Sequence, residues 1–250
     1  MNIVVCMKQV PDTETRIKIG SDGRSIDPAD VEWIVNPYDE YAVEEALQMK
    51  ERTGAGEVVV VSVGNERATT AIRSCLAMGA DRGILLKTEH PFGDTFSIAE
   101  ALANLLKEME FDVLLFGKQA VDDDNAQVAQ LVAHMLDLPC VTVVTKLEIE
   151  GSTAKAHREV EGGTEIVETS LPSVFAAEKD LNQPRYASLK GIMTAKKKQI
   201  EEKETQLGHF KIEVIEMLKP PPRPEGRIVG EGREAVPELM QLLKNEANVI

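Results

Sequence analysis

A turn rich in polar side chains carries the clearest chemical signal in the sequence. Gly117-Lys-Gln-Ala-Val-Asp-Asp-Asp-Asn125 leads into a segment of helical periodicity that starts at about residue 125. A helix N-terminus presents free backbone N–H groups and a partial positive charge, so it can hold a phosphate. The candidate donors are the N–H groups of Ala126, Gln127 and Val128. A plain capped helix with a solvated acidic turn is the simpler alternative.

Three consecutive aspartates beside a phosphate pose an electrostatic difficulty. Asp122, Asp123 and Asp124 would repel the anion unless one of them caps the helix and the others turn towards ribose hydroxyls or solvent. We therefore expect an aspartate cap at the start of this helix.

Other chain segments are predicted to meet this turn at one edge of a sheet. In an open parallel sheet, ligands bind beyond the carboxyl ends of the strands. Such ends occur at Cys6-Met-Lys-Gln9 and Ser62-Val-Gly-Asn65, and Asn36-Pro-Tyr-Asp39 opens a further helix. Together with the 117–125 turn, these segments are expected to form a crevice large enough for a nucleotide.

The motifs of the common nucleotide enzymes are missing. No G-x-G-x-x-G follows the first strand, and no G-x-x-x-x-G-K-[ST] occurs. The four histidines are scattered without ligand spacing, the three cysteines form no C-x-x-C pair, and no serine occupies a nucleophile elbow. We therefore predict no catalytic residue and no metal site.

Alternating strands and helices must position these residues. Continuous apolar runs predict strands at 2–7, 57–63, 83–86, 113–116 and 141–144. Apolar stripes predict helices at 38–52, 66–78, 95–109 and 125–137. This alternation indicates an α/β protein with a mostly parallel, doubly wound nucleotide-binding sheet. Weak alternation over 146–176, around Glu161-Gly-Gly163, predicts antiparallel strands and a hairpin added to the sheet.

The last part of the chain has a different character. From residue 196 the sequence is polar, prolines at 220, 221, 222 and 224 interrupt it, and an amphipathic helix is predicted at 237–246. We divide the chain into an α/β domain at 1–195 and an extended C-terminal arm at 196–250, which is too thin to fold alone. The arm packs either on another subunit or back on its own domain.

Charge and hydropathy limit the partners. Lys+Arg is 28 and Asp+Glu is 42, so the net charge is −14, which argues against nucleic acid or an anionic membrane as the main partner. No apolar run approaches the ~20 residues of a membrane span. A strand at 2–7 leaves no room for a targeting segment. We expect a soluble, cytoplasmic, bacterial protein without direct membrane insertion.

Five motifs in order resemble the β subunit of electron transfer flavoproteins, and the resemblance runs essentially end to end. The motifs are Asn36-Pro-Tyr-Asp39 with Ala42-Val-Glu-Glu-Ala46, Ala77-Met-Gly-Ala-Asp-Arg-Gly83, Gly117-Lys-Gln-Ala-Val-Asp-Asp-Asp124, Ala156-His-Arg-Glu-Val-Glu-Gly-Gly-Thr-Glu165 with Leu171-Pro-Ser-Val174, and Leu181-Asn-Gln-Pro-Arg-Tyr-Ala-Ser-Leu189.

This resemblance implies an electron carrier rather than an enzyme. The chain would be the small subunit of a heterodimer, in which the α subunit holds most of a redox-active FAD and the β subunit closes over it. Acyl-CoA or other flavin dehydrogenases, as in fatty acid β-oxidation, would supply the electrons. A membrane-associated acceptor such as a quinone-linked oxidoreductase would receive them.

The resemblance also implies a structural AMP without a redox role in the crevice. The residues expected to bind it are Cys6, Asn36, Pro37, Tyr38, Asp39, Val63, Asp122, Asp123, Asp124, Asn125, Ala126, Gln127, Val128, Gln130, Leu131 and Val132.

A recognition loop at 178–198 would dock the dehydrogenase, and the arm at 196–250 would wrap the α subunit. Leu189 would be the apolar anchor, and the basic run that ends the loop would steer the encounter. The expected docking residues are Arg185, Tyr186, Leu189, Lys196, Lys197 and Lys198. From the residues alone, this segment could also be an ordinary surface loop.

Two alternatives stay open. Electron-bifurcating members of the family carry a second FAD in place of AMP and oxidise NADH. Asp122-Asp-Asp-Asn125 keeps the aspartate run of the AMP-binding branch, whereas Ala126-Gln-Val128 is similar to the bifurcating branch. The second alternative is an α/β enzyme or a nucleotide-sensing α/β module. The missing phosphate loop counts against the enzyme, and the long C-terminal arm counts against the sensing module.

Overall fold

The computed structural model describes residues 1–89, 93–208, 210–222 and 225–250. The helices are α1 (Pro37–Thr53), α2 (Ala68–Met78), α3 (Thr95–Leu106), α4 (Val128–Leu136), α5 (Leu189–Ala195) and α6 (Val236–Asn245). The strands are β1 (Ile3–Cys6), β2 (Gln9–Pro11), β3 (Trp33–Val35), β4 (Val58–Gly64), β5 (Arg82–Lys87), β6 (Val113–Gly117), β7 (Cys140–Glu150), β8 (Thr153–Val160), β9 (Gly163–Ser170), β10 (Ser173–Ala177) and β11 (Ile200–Glu204).

One large sheet has the strand order β11-β5-β4-β1-β6-β10-β7-β8-β9. Every neighbouring pair from β11 to β7 is parallel, whereas β8 and β9 are added antiparallel. The predicted α/β class with a mostly parallel sheet is therefore confirmed.

Each face of the sheet has its own apolar core. Val5, Val60 and Leu115 belong to the core that includes residues of α1 and α2. Their neighbours Val4 and Val61 belong to a second core, which includes residues of α3 and α4. Because successive residues of a strand point to opposite faces, continuous apolar runs are needed to fill both cores. The double winding predicted from those runs is confirmed.

The hairpin predicted around Glu161-Gly-Gly163 is the connection between β8 and β9. Val160 pairs with Gly163, and Gly162 has φ of +80°, which a glycine adopts without strain. The predicted antiparallel region extends too far, because its last residues belong to β10, which pairs in parallel with β6 and β7. Every residue of β10 is buried, as expected of a central strand.

Several short elements were not predicted. Strands β2 and β3 form a small antiparallel sheet, and α5 lies within the expected recognition loop. Strand β11 is a parallel edge strand on β5 although three of its five residues are glutamates. Arg82 and Lys87 on β5 pair with these carboxylates at 3.6–4.0 Å. Charged side chains on an edge strand discourage pairing with other chains. Because such a strand lacks an apolar pattern, β11 was not predicted from the sequence.

The chain divides into two compact units, Met1–Ile215 and Glu216–Ile250. The first unit extends beyond the expected domain boundary at residue 195, because β11 belongs to the main sheet. Within the described part of the second unit, α6 follows a short 3₁₀ turn at Arg233–Ala235 and buries none of its residues. Among the described residues, no helix is long and apolar enough to cross a membrane.

Replacing Phe175 with Ala should destabilise the fold strongly. Phe175 on β10 is fully buried, and truncating such a side chain leaves a cavity that costs about 3–5 kcal/mol. Urea unfolding followed by circular dichroism would measure the loss. Ile166→Ala on the same sheet is the control, because Ile166 is exposed and should change the free energy of unfolding by under ~0.5 kcal/mol. Equal effects of the two variants would contradict the assigned core.

Candidate functional site

The strand order reverses direction between β1 and β6. The connection from β1 leads through α1 to β4, whereas the connection from β6 leads through α4 to β7 on the other side of the sheet. In an open α/β sheet, such a reversal leaves a crevice at the carboxyl ends of the two strands, where ligands bind. Lys8 follows β1 and the 117–125 turn follows β6, so both border this point.

Asn36 joins the segments that border the crevice. Its backbone N–H donates to the Lys8 carbonyl oxygen at 2.9 Å. Its side chain donates through Nδ2 to the Gln119 carbonyl oxygen at 2.8 Å and accepts through Oδ1 from the Val121 N–H at 3.1 Å. This buried amide therefore fixes the residue before α1 to both strand ends.

Asp39 makes the second connection, from the first turn of α1. Its Oδ2 accepts from the Lys8 N–H at 2.7 Å and its Oδ1 accepts from the Gly117 N–H at 3.0 Å. Burial raises the pKa of Asp39 to about 7, although both hydrogen bonds favour the charged form. Gly117 is required, because a Cβ there would lie 2.4 Å from Oδ1 of Asp39 and 2.7 Å from the Tyr38 carbonyl carbon.

The acidic turn is held by internal contacts. Lys8 Nζ lies 2.8 Å from Asp122 Oδ1 and 2.9 Å from Asp123 Oδ2. Gln119 Nε2 donates to Asp124 Oδ1 at 2.6 Å. Asp124 and Ala126 have φ of +51° and +50°, so the chain cannot yet be helical at these residues. Helix α4 accordingly begins at Val128, later than the predicted residue 125.

No aspartate caps α4, so that expectation is wrong. The residue before the helix is Gln127, and among the described residues no side chain accepts a hydrogen bond as its cap. The first intrahelical bond runs from the Leu131 N–H to the Gln127 carbonyl oxygen. Of the three N–H groups predicted as donors, those of Ala126 and Gln127 therefore precede the helix, and only that of Val128 belongs to it. The N–H groups of Val128, Ala129 and Gln130 have no intrahelical acceptor and suit an anion.

The other predicted nucleotide residues occupy different surroundings. Cys6 and Val63, at the ends of β1 and β4, lie with the core beneath α3 and α4, and burial raises the pKa of the Cys6 thiol. Val132 is fully buried there and Leu131 packs against the same core. The Val132 side chain therefore faces the core rather than an open crevice.

Peripheral polar contacts complete the local structure. Asn125 is exposed, and its N–H donates to Asp123 Oδ1 at 3.2 Å. Gln130 Nε2 donates to the Ala126 carbonyl oxygen at 2.8 Å. Pro37 and Tyr38 form the first turn of α1. These contacts leave the 122–126 turn folded on itself in front of α4.

Two lysines at strand ends were missed by the sequence analysis. Lys8 binds the acidic turn, and Lys118 pairs with Glu178 at 2.7 Å while lying 5.4 Å from the Tyr38 ring centroid. Burial opposes the charged form of Lys8, but the two aspartates outweigh it and raise its pKa. Each lysine lies within two residues of the end of a buried strand, which is the signal that could have identified it.

The expected docking residues separate into two groups. Tyr186 and Leu189 are 99% and 83% exposed, and Lys196 and Lys197 are also exposed. Arg185 instead lies 2.6–3.1 Å from side-chain oxygens of two glutamates on α1. Lys198 instead donates to the carbonyl oxygen of Leu76 in the last turn of α2 and to that of Ala80 just beyond this helix.

Arg185 and Lys198 therefore anchor the 178–198 segment to its own subunit. Arg73 adds a further contact, donating to the carbonyl oxygens of Ala195 and Lys198 at 2.6 Å. Gly191 allows α5 to approach α2 closely, because a Cβ there would lie 2.3 Å from the Ala77 carbonyl oxygen. The segment presents its exposed apolar side chains on a fixed backbone.

Within the described residues, no group of three or more His, Cys, Asp and Glu side chains could hold a metal ion. His90 and His209 lie outside the described residues.

Asp39→Asn should remove a pH dependence of stability. The pKa of Asp39 is about 7 in the folded protein and ~3.9 in an unfolded chain. Its contribution is therefore fully present below pH ~4 and is lost as the pH rises through 7, with a slope of at most about 1.4 kcal/mol per pH unit. Asparagine cannot titrate, but it loses one N–H partner at every pH.

Urea unfolding of both proteins at pH 5, 6, 7 and 8 would test this expectation. Relative to Asp39→Asn, the free energy of unfolding of the wild type should fall towards pH 7 and then level off. A difference that stays constant with pH would contradict the prediction.

Several known proteins are similar in sequence to this chain over nearly its full length. A family model described as the electron transfer flavoprotein domain matches residues 24–206. The electron transfer flavoprotein subunit beta of Bacillus subtilis (strain 168) is 44% identical over 260 residues and covers 100% of both chains. That of Syntrophomonas wolfei is 42% identical, covering 100% of this chain and 98% of its own. The human protein is 37% identical, covering 97% and 98%.

Similarity at this level over nearly the full length of each protein, together with the family model, confirms the resemblance seen in the five motifs. The chain belongs to the electron transfer flavoprotein β-subunit family.

Proposed function

We propose that this chain is the small subunit of a heterodimeric electron transfer flavoprotein and works as an electron carrier. An α subunit holds most of the FAD, and this chain helps to enclose it. When bound, the FAD supplies the redox chemistry, since it can accept electrons from a dehydrogenase and release them to an acceptor. The family membership carries this proposal, and no catalytic role is assigned to a residue of this chain.

The crevice between β1 and β6 is proposed to bind AMP as a structural ligand. The observation that supports it is the start of α4, where the N–H groups of Val128, Ala129 and Gln130 lack intrahelical acceptors beside the strand-order reversal. These groups would hold the phosphate, because a helix N-terminus favours an anion. Of the binding residues expected from the family motifs, Asn36, Asp39 and the 122–126 turn belong to the segments that meet there, whereas Cys6, Val63 and Val132 lie with the neighbouring core.

A second FAD in the crevice, with NADH oxidation, is the other candidate. FAD, like AMP, carries negatively charged phosphate, so the N–H groups at the start of α4 suit both ligands. The sequence Ala126-Gln-Val128 favours it, whereas Asp122-Asp-Asp-Asn125 favours AMP. The nucleotides released by acid from the purified heterodimer would decide between one FAD with one AMP and two FAD.

The C-terminal segment is proposed to pack on the α subunit. The end of the first unit carries exposed Ile212, Val214 and Ile215, which are 52–70% exposed. Asp94, which caps α3, accepts from the N–H groups of Lys211 and Ile212, so the start of this apolar stretch is fixed. Exposed apolar clusters of this kind are typical of surfaces that another protein covers.

The 178–198 segment is proposed to dock acyl-CoA or other flavin dehydrogenases, and a quinone-linked oxidoreductase would accept the electrons. Tyr186, Leu189 and Met193 offer the apolar contact, since they are at least 70% exposed. Lys196 and Lys197 follow them in the chain, are also exposed, and would steer an acidic partner.

Gln127→Glu should weaken nucleotide binding without weakening the fold. A carboxylate at this position would repel the phosphate, and we expect a loss of at least about tenfold in AMP affinity. The same charge at a helix N-terminus stabilises the helix by about 0.3–1 kcal/mol. AMP released by acid from the heterodimer and the melting temperature of the nucleotide-free form are the two measurements. Gln127→Met, which adds no charge, is the control.

These two effects have opposite signs, so unfolding cannot imitate loss of binding. A heterodimer that carries Gln127→Glu and still contains one AMP would exclude the start of α4 as the phosphate site.

Leu189→Ala should impair electron transfer from a dehydrogenase while leaving stability nearly unchanged. A central apolar anchor can carry ~2 kcal/mol of binding energy, which is about 30-fold in affinity, and an exposed side chain changes stability by under ~0.5 kcal/mol. Stopped-flow reduction of the heterodimer by an acyl-CoA dehydrogenase would measure the first effect and thermal melting the second. Ile166→Ala, an exposed apolar change on β9, is the control. Normal reduction of the Leu189 variant would refute the docking role.

A further inference from the structure

The acidic turn in front of α4 is not explained by the proposed function alone. Asp122 and Asp123 precede the first residue of α4, whose N-terminus is proposed to hold a phosphate, by six and five residues in the chain. Carboxylates and a phosphate repel each other, and the repulsion is strongest where the charges are partly shielded from water. The Asp122 side chain is 19% exposed and that of Asp123 is 43% exposed, so solvent screens the first charge less completely than the second. Some positive group must offset these charges if an anion is to bind beside them.

Lys8 is the group that meets this requirement. Its single ammonium lies within 2.9 Å of an oxygen of each aspartate. Asp124 is held differently, by the neutral Gln119 amide, and its carboxylate is exposed. The two carboxylates nearest the lysine therefore share one counter-charge.

The position of Lys8 is fixed by the same hydrogen bonds that build the crevice. Its N–H donates to Asp39 and its carbonyl oxygen accepts from the Asn36 N–H. The backbone of Lys8 is thereby held between β1 and the start of α1, and only its side chain spans the distance to the turn. A fixed backbone lowers the entropy cost of holding both aspartates at once.

We propose that Lys8 makes the acidic turn compatible with a bound nucleotide phosphate by neutralising Asp122 and Asp123 and holding their carboxylates. This inference rests on the proposed function, because it concerns the same crevice. It assigns Lys8 a positioning role that acts through the two aspartates, so the lysine is needed only while both carboxylates are charged.

The test compares the AMP content of four purified heterodimers, with FAD content as the measure of intact assembly. Lys8→Met should lower the AMP:FAD ratio at least about tenfold, because the turn would carry two uncompensated charges. Adding Asp122→Asn and Asp123→Asn to Lys8→Met should restore most of the AMP, since no charge then needs compensation and each asparagine oxygen can still accept a hydrogen bond from a ribose hydroxyl. Lys8→Arg, which keeps the charge, should retain AMP.

Lys87→Met is a matched control. Lys87 also lies at the end of a parallel strand and faces two carboxylates, Glu202 and Glu204, but it lies on β5 outside the crevice. This variant should keep its AMP. Titration of AMP into each nucleotide-free heterodimer would repeat the comparison as a dissociation constant.

Each outcome decides the inference. Full AMP in the Lys8→Met heterodimer would overturn it while leaving the proposed AMP site intact. Failure of the triple variant to regain AMP would also overturn it, because compensation of the two carboxylates would then not be the reason that Lys8 is needed. A wild-type heterodimer that neither contains nor binds AMP would overturn the proposed function and this inference together.

Discussion

The buried hydrogen bonds of Asn36 and Asp39 fix the start of α1 against the ends of β1 and β6, and the crevice depends on them. The Asp39 side chain contacts Lys8 after β1 and Gly117 at the end of β6, and the Asn36 side chain contacts the segment after β6. A buried polar group without a partner is costly, so four satisfied contacts in one place specify a single arrangement. Gly117 permits it, since any side chain there would collide with α1.

Helix α1 connects this crevice to the 178–198 segment. It begins beside the crevice, and further along it carries Glu44 and Glu51, which bind Arg185. Glu45 on the same helix accepts from Asn182 at 3.2 Å. One rigid element therefore positions both the nucleotide segments and the start of the 178–198 segment. Glu44 and Glu45 are buried in spite of their charge because Arg185 compensates the first and Arg52, at 2.8 Å, compensates the second.

The strands that could be predicted from the sequence are those whose apolar residues fill the two cores. The strands that became β1, β4, β5 and β6 fill two cores, so each reads as an unbroken apolar run. Strand β11 could not be found in this way, because its stability comes from pairing with β5 and from charge pairs with Arg82 and Lys87. Its pattern becomes interpretable only once its neighbour is known.

The site was predictable in its location but not in its charge balance. Strand ends and the Asp122–Asp124 run indicated where the segments meet, since the carboxyl ends of parallel strands share one edge. The missing cap on α4 was not predictable, because it follows from the positive φ of Asp124 and Ala126, which depends on contacts made elsewhere in the turn.

Arg185 shows the same limit, because an arginine in a polar loop is expected to face solvent. It instead holds two glutamates more than a hundred residues earlier in the chain. A partner that binds the 178–198 segment as proposed would meet a backbone already fixed by Arg185 and Arg73. Little conformational entropy would then be lost on binding, so more of the contact energy of Leu189 would be left for affinity.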